Sequence, residues 1–205
     1  MSRPTVGSVP RIVLASGSPR RREFLSGLDL AFEVIPANID ETRLDDEDPD
    51  VYVARLCNAK AAHVASFVND DSAVVIAADT TVAIDGRVLE KPTDAADAVT
   101  MLRLLSGRTH LALTGVAVWF AGRSLHTVVS TEVEFAELSD DEVHWYVGTG
   151  EGLDKAGGYG LQGRAAVFIR RLNGSVSNVI GLPLAELAEL LERQGVPLGT
   201  LRSAP

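Results

Sequence analysis

Hydrophobic and polar positions change period repeatedly along this chain, and each change marks an element. Arg11–Ala15 (RIVLA) predicts a first strand. After the turn Ser16-Gly17-Ser18, Ser18 and Pro19 have the residue types of a helix start, an N-cap followed by proline, for a helix to about Leu28. Phe32–Ile35 predicts a second strand and the polar stretch Ala37–Asp48 a loop. Asp48-Pro49 opens a longer helix, in which Val51, Ala54, Ala61, Val64, Ala65 and Val68 recur at helical spacing. Ala73–Ala78 is a continuous apolar run suited to a strand covered on both faces. Asp85-Gly86 predicts a hairpin between Thr81–Ile84 and Arg87–Leu89.

Thr93 is placed to cap a helix carrying Ala96, Val99, Leu102 and Leu105, which Gly107 ends. Two long β-type runs, His110–Phe120 and Leu125–Phe135, join across Ala121-Gly122. Ser139 and Glu142 form a capping-box pair for a helix to about Val147. The glycine-rich segment Gly148–Gly163 leads to a predicted strand Ala165–Ile169, and Pro183 starts an amphipathic helix to about Gln194. This mixture predicts an α/β fold with a mixed central β-sheet and flanking helices, rather than a doubly wound parallel sheet. No repeat or linker divides the chain. The expected organisation is an N-terminal extension 1–10, one domain 11–194 and a C-terminal tail 195–205, with both ends disordered at 1–10 and 199–205.

With 205 residues, 46% of them hydrophobic, the chain can bury a sizeable core. Its formal charge of -9 sets a generally acidic surface against a nucleic-acid backbone, so no nucleic-acid partner is expected. A small anion could bind only where cationic residues converge. Cys57 is the sole cysteine, which excludes an internal disulfide; within a helical pattern it reads as a buried structural thiol. Residues 1–11 lack the apolar core of a secretory signal, and the longest apolar runs are too short to span a bilayer. A cytoplasmic protein without a membrane partner is expected. His63, His110, His126 and His144 lack metal-ligand spacing and read as structural or surface residues.

Three segments offer chemistry. Ser16-Gly-Ser-Pro-Arg-Arg-Arg22 sits at a strand-to-helix junction, where three arginines oppose the helix dipole unless an anion docks. Backbone N–H groups, the two hydroxyls and an arginine fork would then form a phosphate cradle; a plain Ser18 cap with solvated arginines is the alternative. Asp79 closes the apolar run Ala73–Ala78, a costly place for a carboxylate without a metal, a lysine or several donors, although a turn aspartate fits the same position. Lys91 follows the hairpin and either returns to that strand end or stays solvated. Asp154–Gly163 combines glycines with Asp, Lys, Tyr and Gln, a recognition loop or an ordinary flexible one. Together these groups suit metal-assisted hydrolysis of a phosphate ester.

The segments Leu14-Ala-Ser-Gly-Ser-Pro-Arg-Arg21, Asp40-Glu41, Ala54-Arg-Leu-Cys-Asn-Ala-Lys60 and Ala78-Asp-Thr80 occur in that order. Glu90-Lys-Pro92, Leu105–His110, Thr114-Gly115, Asp154–Gly163 and Gly181-Leu-Pro183 follow. This series resembles the Maf family of nucleotide pyrophosphatases over residues 11–194. The resemblance implies a fold similar to that of the inosine-triphosphate pyrophosphatases, two lobes around a cleft, and metal-dependent release of diphosphate from a nucleoside triphosphate. It makes Asp79 the catalytic carboxylate and, with Glu41, a metal ligand; Ser16, Arg20, Arg21, Lys60 and Lys91 become the phosphate-binding set. The implied cofactor is a divalent cation, Mg²⁺ or Mn²⁺, with Co²⁺ a further candidate, and a homodimer is compatible with the family. Arg20, Thr80 and Gln162 match the branch that resembles dTTP/UTP pyrophosphatases, in which a carboxamide can both donate to and accept from a pyrimidine edge. The family's link to septum formation leaves a regulatory nucleotide-binding protein with little turnover as the alternative.

Overall fold

The computed structural model describes residues 9–202. Residues 1–8 and 203–205, the outer parts of the expected extension and tail, lie outside the described residues. Seven strands form one mixed sheet: β1 (Ile12–Leu14), β2 (Phe32–Val34), β3 (Val74–Ile84), β4 (Arg87–Leu89), β5 (Thr109–Phe120), β6 (Arg123–Phe135) and β7 (Ile169–Asn173). Their order is β2-β1-β3-β5-β6-β7, with β4 paired to β3. β1 runs parallel to β2 and β3, and every other pairing is antiparallel. The helices are α1 (Pro19–Gly27), α2 (Pro49–Val68), α3 (Ala95–Leu105), α4 (Asp140–Gly148), α5 (Val176–Ile180), α6 (Leu184–Arg193) and α7 (Leu198–Leu201). The mixed sheet with flanking helices agrees with the hydrophobic pattern.

Several local expectations are corrected. The run Ala73–Ala78 and the outgoing hairpin arm Thr81–Ile84 are one 11-residue strand, so Asp79 lies within β3 rather than at its end. Polar Asp79-Thr80-Thr81 hides this continuity, yet β5 pairs with all three through Gly115, Thr114 and Leu113. Asp94, not Thr93, caps α3, its side chain accepting from the Asp97 N–H. The expected strand 165–169 is mostly a 3₁₀ segment, Arg164–Phe168, and the strand begins at Ile169. Residues 198–201 are helical instead of a free end: Leu201 is buried, and Leu30 pairs with Arg202.

Alternation along β3 distributes the core to both faces of the sheet. Ile76 and Ala78 pack toward Leu25 of α1 and toward Leu187, Leu190 and Leu191 of α6. Val75 and Ala77 face Cys57, Ala61 and Val64 of α2. A second body gathers Leu102, Leu105, Val143, Tyr146, Phe135 and Phe168 at the other end of the sheet. Helix α2 lies directly on β5 at Gly115, where a Cβ would stand 2.3 Å from the Val53 carbonyl oxygen. Cys57 is buried there and its thiol is pushed up to about 12, chiefly by burial, as an inert structural cysteine requires.

The strand pairing also opens the molecule. β1 covers β3 only along Val74–Ile76, and β4 covers it only along Val82–Ile84. Among the described residues no strand borders Ala77–Thr81 on that edge, while β5 supports it on the other. Asp79, Thr80 and Thr81 therefore line a cleft where the sheet divides.

Candidate active site

The cleft has a volume of about 760 Å³ and draws in every site residue expected from the sequence: Ser16, Arg20, Arg21, Glu41, Lys60, Asp79, Thr80, Lys91 and Gln162. Its walls carry five cations (Arg20, Arg21, Lys60, Lys91, Lys155) and five acids (Asp40, Glu41, Asp79, Glu90, Asp154). The formal balance inside is thus zero on a chain of charge -9. That convergence is the condition under which an acidic protein can hold a small anion.

On the α2 side of the gap, Lys60 and Asp79 are 7% and 8% exposed. The Lys60 ammonium donates to Asp79 Oδ1 at 2.6 Å and contacts Glu41 Oε1 at 2.8 Å, so one buried cation spans two carboxylates. Tyr52 lies eight residues before Lys60 on α2, and its hydroxyl is 3.1 Å from both the Glu41 carbonyl oxygen and Glu90 Oε1. It ties the loop bearing Glu41 to the segment bearing Lys91. Burial first, and then the charges of Glu90 and Asp79, push the Tyr52 hydroxyl well above its ordinary pKa, so it remains a donor. Outside the cleft, Arg55 braces the loop after Thr42 with a fork onto Glu47 at 2.6 and 2.8 Å and a bond to the Thr42 carbonyl at 3.1 Å. That fork holds the Glu47 carboxyl at about 2.

On the opposite face, Arg21 is drawn into the fold. Its Nε donates to the Gly181 carbonyl at 2.7 Å, Nη1 to Ser16 Oγ at 2.9 Å and Nη2 to Thr80 Oγ1 at 3.0 Å. Three of the five guanidinium N–H groups are thereby engaged. Thr80 continues the chain to Thr114 Oγ1 at 2.9 Å, and Thr114 donates to the Asn178 carbonyl at 2.9 Å. Arg20 lies at the cleft wall, whereas Arg22 is exposed outside it, so two of the three arginines of the motif reach the site. Ser18 occupies the N-cap position of α1, but its side chain makes no capping bond. Pro19 has no N–H and the Ser18 N–H donates to Ser16 Oγ at 3.3 Å, so the N–H groups of Arg20 and Arg21 are the first-turn donors left beside Ser16, Gly17 and Ser18, all at the cleft.

Sequence reasoning missed Tyr52, Glu90 and the Arg55–Glu47 clamp. A signal existed for the first: Tyr52, Leu56 and Lys60 recur every four residues and share one face of α2. Glu90 stood in the Glu90-Lys-Pro92 motif without a role of its own, its partner Tyr52 lying 38 residues away. Glu47 and Arg55 pair across the boundary between a loop and α2, which no periodic pattern spans.

Among the described residues no three His, Cys, Asp or Glu side chains form a ready-made metal cage. Asp79 and Glu41, already converging on one cation, are hard oxygen donors of the kind Mg²⁺ and Mn²⁺ accept alongside water and substrate phosphates. The donor set therefore fits a divalent ion.

The comparison with known families decides the affiliation: residues 11–194 match the family described as Maf, Maf-like protein. The chain belongs to the Maf family. A relative from Anaeromyxobacter dehalogenans (strain 2CP-C), named dTTP/UTP pyrophosphatase, is 54% identical over 92% of this chain and 96% of its own. Proteins of the same name from Myxococcus xanthus and Salmonella typhimurium are 52% and 49% identical, covering 91% and 88% of this chain and 94% and 91% of theirs. Among solved structures, the Staphylococcus aureus Ham1 protein aligns with a TM-score of 0.46 and 15% identity, over 62% of this chain and 72% of its own. Every Maf motif recognised in the sequence that carries a charged or polar site residue contributes one to the cleft, from Ser16 to Gln162. Among the described residues no helix is long and apolar enough to cross a membrane.

Proposed function

We propose that this Maf protein hydrolyses nucleoside triphosphates to the monophosphate and diphosphate, with dTTP and UTP as its substrates. The observation that carries the reading is the Lys60–Asp79–Glu41 triad at the sheet gap, facing the uncapped N-terminus of α1 across one cleft. The shared name of the relatives supports the same reaction and the same substrates.

In this reading the N–H groups of α1, Ser16 and Arg20 receive the phosphate oxygens. Arg21 holds Ser16, Thr80 and the Gly181 segment in register, which leaves two of its N–H groups to donate to the same anion. Lys60 and Lys91 neutralise charge that accumulates on the departing diphosphate. Asp79 takes the proton of the attacking water as its oxygen bonds to phosphorus; the α–β anhydride bond breaks and diphosphate leaves with the bond's electron pair. A divalent ion held by Asp79 and Glu41, when bound, adds Lewis-acid charge at the phosphate oxygens. Gln162 is exposed, lines the cleft and makes no side-chain hydrogen bond within the described residues, so its carboxamide is free for the base.

The test is diphosphate release from a panel of nucleoside triphosphates with Mg²⁺, Mn²⁺ or chelator, for wild type and Asp79→Asn. Metal-dependent turnover of dTTP and UTP that needs Asp79 is the expected result. Tight triphosphate binding without turnover would instead favour the regulatory role, which the enzyme names of the relatives do not.

A further inference from the structure

The glycine-rich loop that carries Gln162 is tied to a single carboxylate, directly at Arg164 and through the Tyr146 hydroxyl at Gly160. Glu151 follows α4 and is mostly buried, its side chain 17% exposed. Its Oε2 accepts the backbone N–H of Arg164 at 3.0 Å. Its Oε1 accepts the hydroxyl of Tyr146 at 3.2 Å, and that hydroxyl in turn accepts the backbone N–H of Gly160 at 3.2 Å. Gly160 and Arg164 bracket Gln162 symmetrically, two residues before it and two after. The segment between them is also pinched by Gly163 N–H donating to the Gly160 carbonyl at 3.2 Å. The carboxylate fills the inside of this ring so closely that a Cβ on Gly163 would stand 2.0 Å from Glu151 Oε1.

From this geometry we propose that Glu151, acting through Tyr146 and Arg164, is the positioning residue that sets the base preference of the cleft by fixing where the Gln162 carboxamide points. The proposal rests on Gln162 reading the base. Gln162 itself is exposed and tied to nothing, so without an anchor its carboxamide would sample many directions and discriminate poorly between donor and acceptor edges. Glu151 supplies the anchor at the backbone, leaving both ends of the carboxamide free for ligand. Burial opposes the charge of Glu151, but the bonds from the Arg164 and Ala165 N–H groups and the Tyr146 hydroxyl hold its carboxyl below the ordinary range. The same bonds that tie the loop therefore favour the ionised, accepting form of Glu151. Glu151 is not a catalytic residue: among the described residues it neither hydrogen-bonds nor ion-pairs with Asp79 or Lys60, and it lies outside the cleft wall.

The experiment measures kcat and KM for dTTP and dCTP, whose pairing edges present opposite donor and acceptor patterns. The variants are Glu151→Ala, Glu151→Gln, Tyr146→Phe, Gln162→Ala and the double variant Glu151→Ala/Gln162→Ala, with Tm recorded for each. Glu151→Ala should lower the dTTP-to-dCTP ratio of kcat/KM by about tenfold, mostly through KM for dTTP. Tyr146→Phe and Glu151→Gln, which each remove part of the ring, should lower it less. The double variant should show the ratio of Gln162→Ala alone, since one residue acts through the other. If Gln162→Ala collapses the ratio while the folded Glu151 and Tyr146 variants keep it, the positioning role is wrong and the base-reading role stands. If Gln162→Ala leaves the ratio intact, the base-reading role fails and the proposal falls with it. A Glu151 variant that lowers Tm and depresses both nucleotides equally marks a merely structural residue and overturns the proposal. Should Glu151→Ala not fold, the same criteria apply to Glu151→Gln and Tyr146→Phe.

Discussion

The ammonium of Lys60 lies 2.6 Å from Asp79 Oδ1, in a pair that α2 and β3 both bury. Glu41, at 2.8 Å, gives the same ammonium a second, half-exposed partner. The two members of the pair are therefore not equivalent. Asp79→Asn leaves Lys60 with Glu41, whereas Lys60→Met leaves Asp79 buried without its ion-pair partner.

From that asymmetry, Asp79→Asn should lose turnover by a factor on the order of 10³ while remaining folded, because the proposed general base goes but no charge is stranded. Lys60→Met should cost about 3 kcal/mol of stability as well as activity. Urea unfolding and diphosphate release, measured side by side, separate the two effects. Equal destabilisation by both changes would mean that Glu41 does not share the ammonium in solution.

Glu41→Gln addresses the metal. Its carboxylate is accessible and shares a cation with Asp79. Removing its charge should raise the Mn²⁺ concentration needed for half-maximal turnover by about tenfold, and saturating metal should restore most of kcat. Chelator should abolish turnover in both proteins. An unchanged metal requirement would remove Glu41 from the ion's ligands.

Packing reaches the site through Gly115. An alanine there would put its Cβ 2.3 Å from the Val53 carbonyl oxygen and 3.0 Å from Cys57 Sγ, and helix backbone cannot yield as a side-chain tip can. The helix that must move carries Tyr52 and Lys60. Gly115→Ala should therefore cost about 3 kcal/mol and reduce kcat in protein that is still folded. A variant with the urea midpoint and kcat of wild type would show that α2 is more loosely seated than this contact implies.

Much of this arrangement was legible in the sequence because local rules and the global fold agree. The Ser139–Glu142 capping box forms as read, and Ala121 and Gly122 turn β5 into β6 with positive φ at both positions. The cleft residues were legible as motifs, each with its own chemistry. The course of β3 was not, because Asp79, Thr80 and Thr81 look like a turn until β5 and the gap beside them are known. The engagement of Arg21 was equally hidden: Gly181 is 160 residues away, and no local pattern announces that a carbonyl there awaits a guanidinium. The same holds for Glu151, which reads as one more acid in a polar loop.

His110 tests the second body of the core. Its ring is buried among Phe135 and Tyr159, with Nε2 2.8 Å from the Tyr159 hydroxyl and Nδ1 without a partner among the described residues. Burial lowers its pKa from 6.5 to about 4. Above pH 6.5 the ring is neutral in both folded and unfolded chains, and His110 adds no pH dependence. Between 6.5 and about 4 the unfolded chain takes up a proton that the folded chain refuses, so stability rises with pH and is lost as pH falls. The full loss is about 3 kcal/mol, reached near pH 4. His110→Gln keeps a polar partner for Tyr159 but cannot titrate. Urea unfolding at pH 7.0 and again at pH 5.0, within that window, should show wild type losing more stability than the variant. Parallel losses would mean that the ring protonates in place or that the aromatic cluster opens to water. Because Tyr159 also lines the cleft, the expected result would carry the acid sensitivity of this core into the loop that holds Gln162.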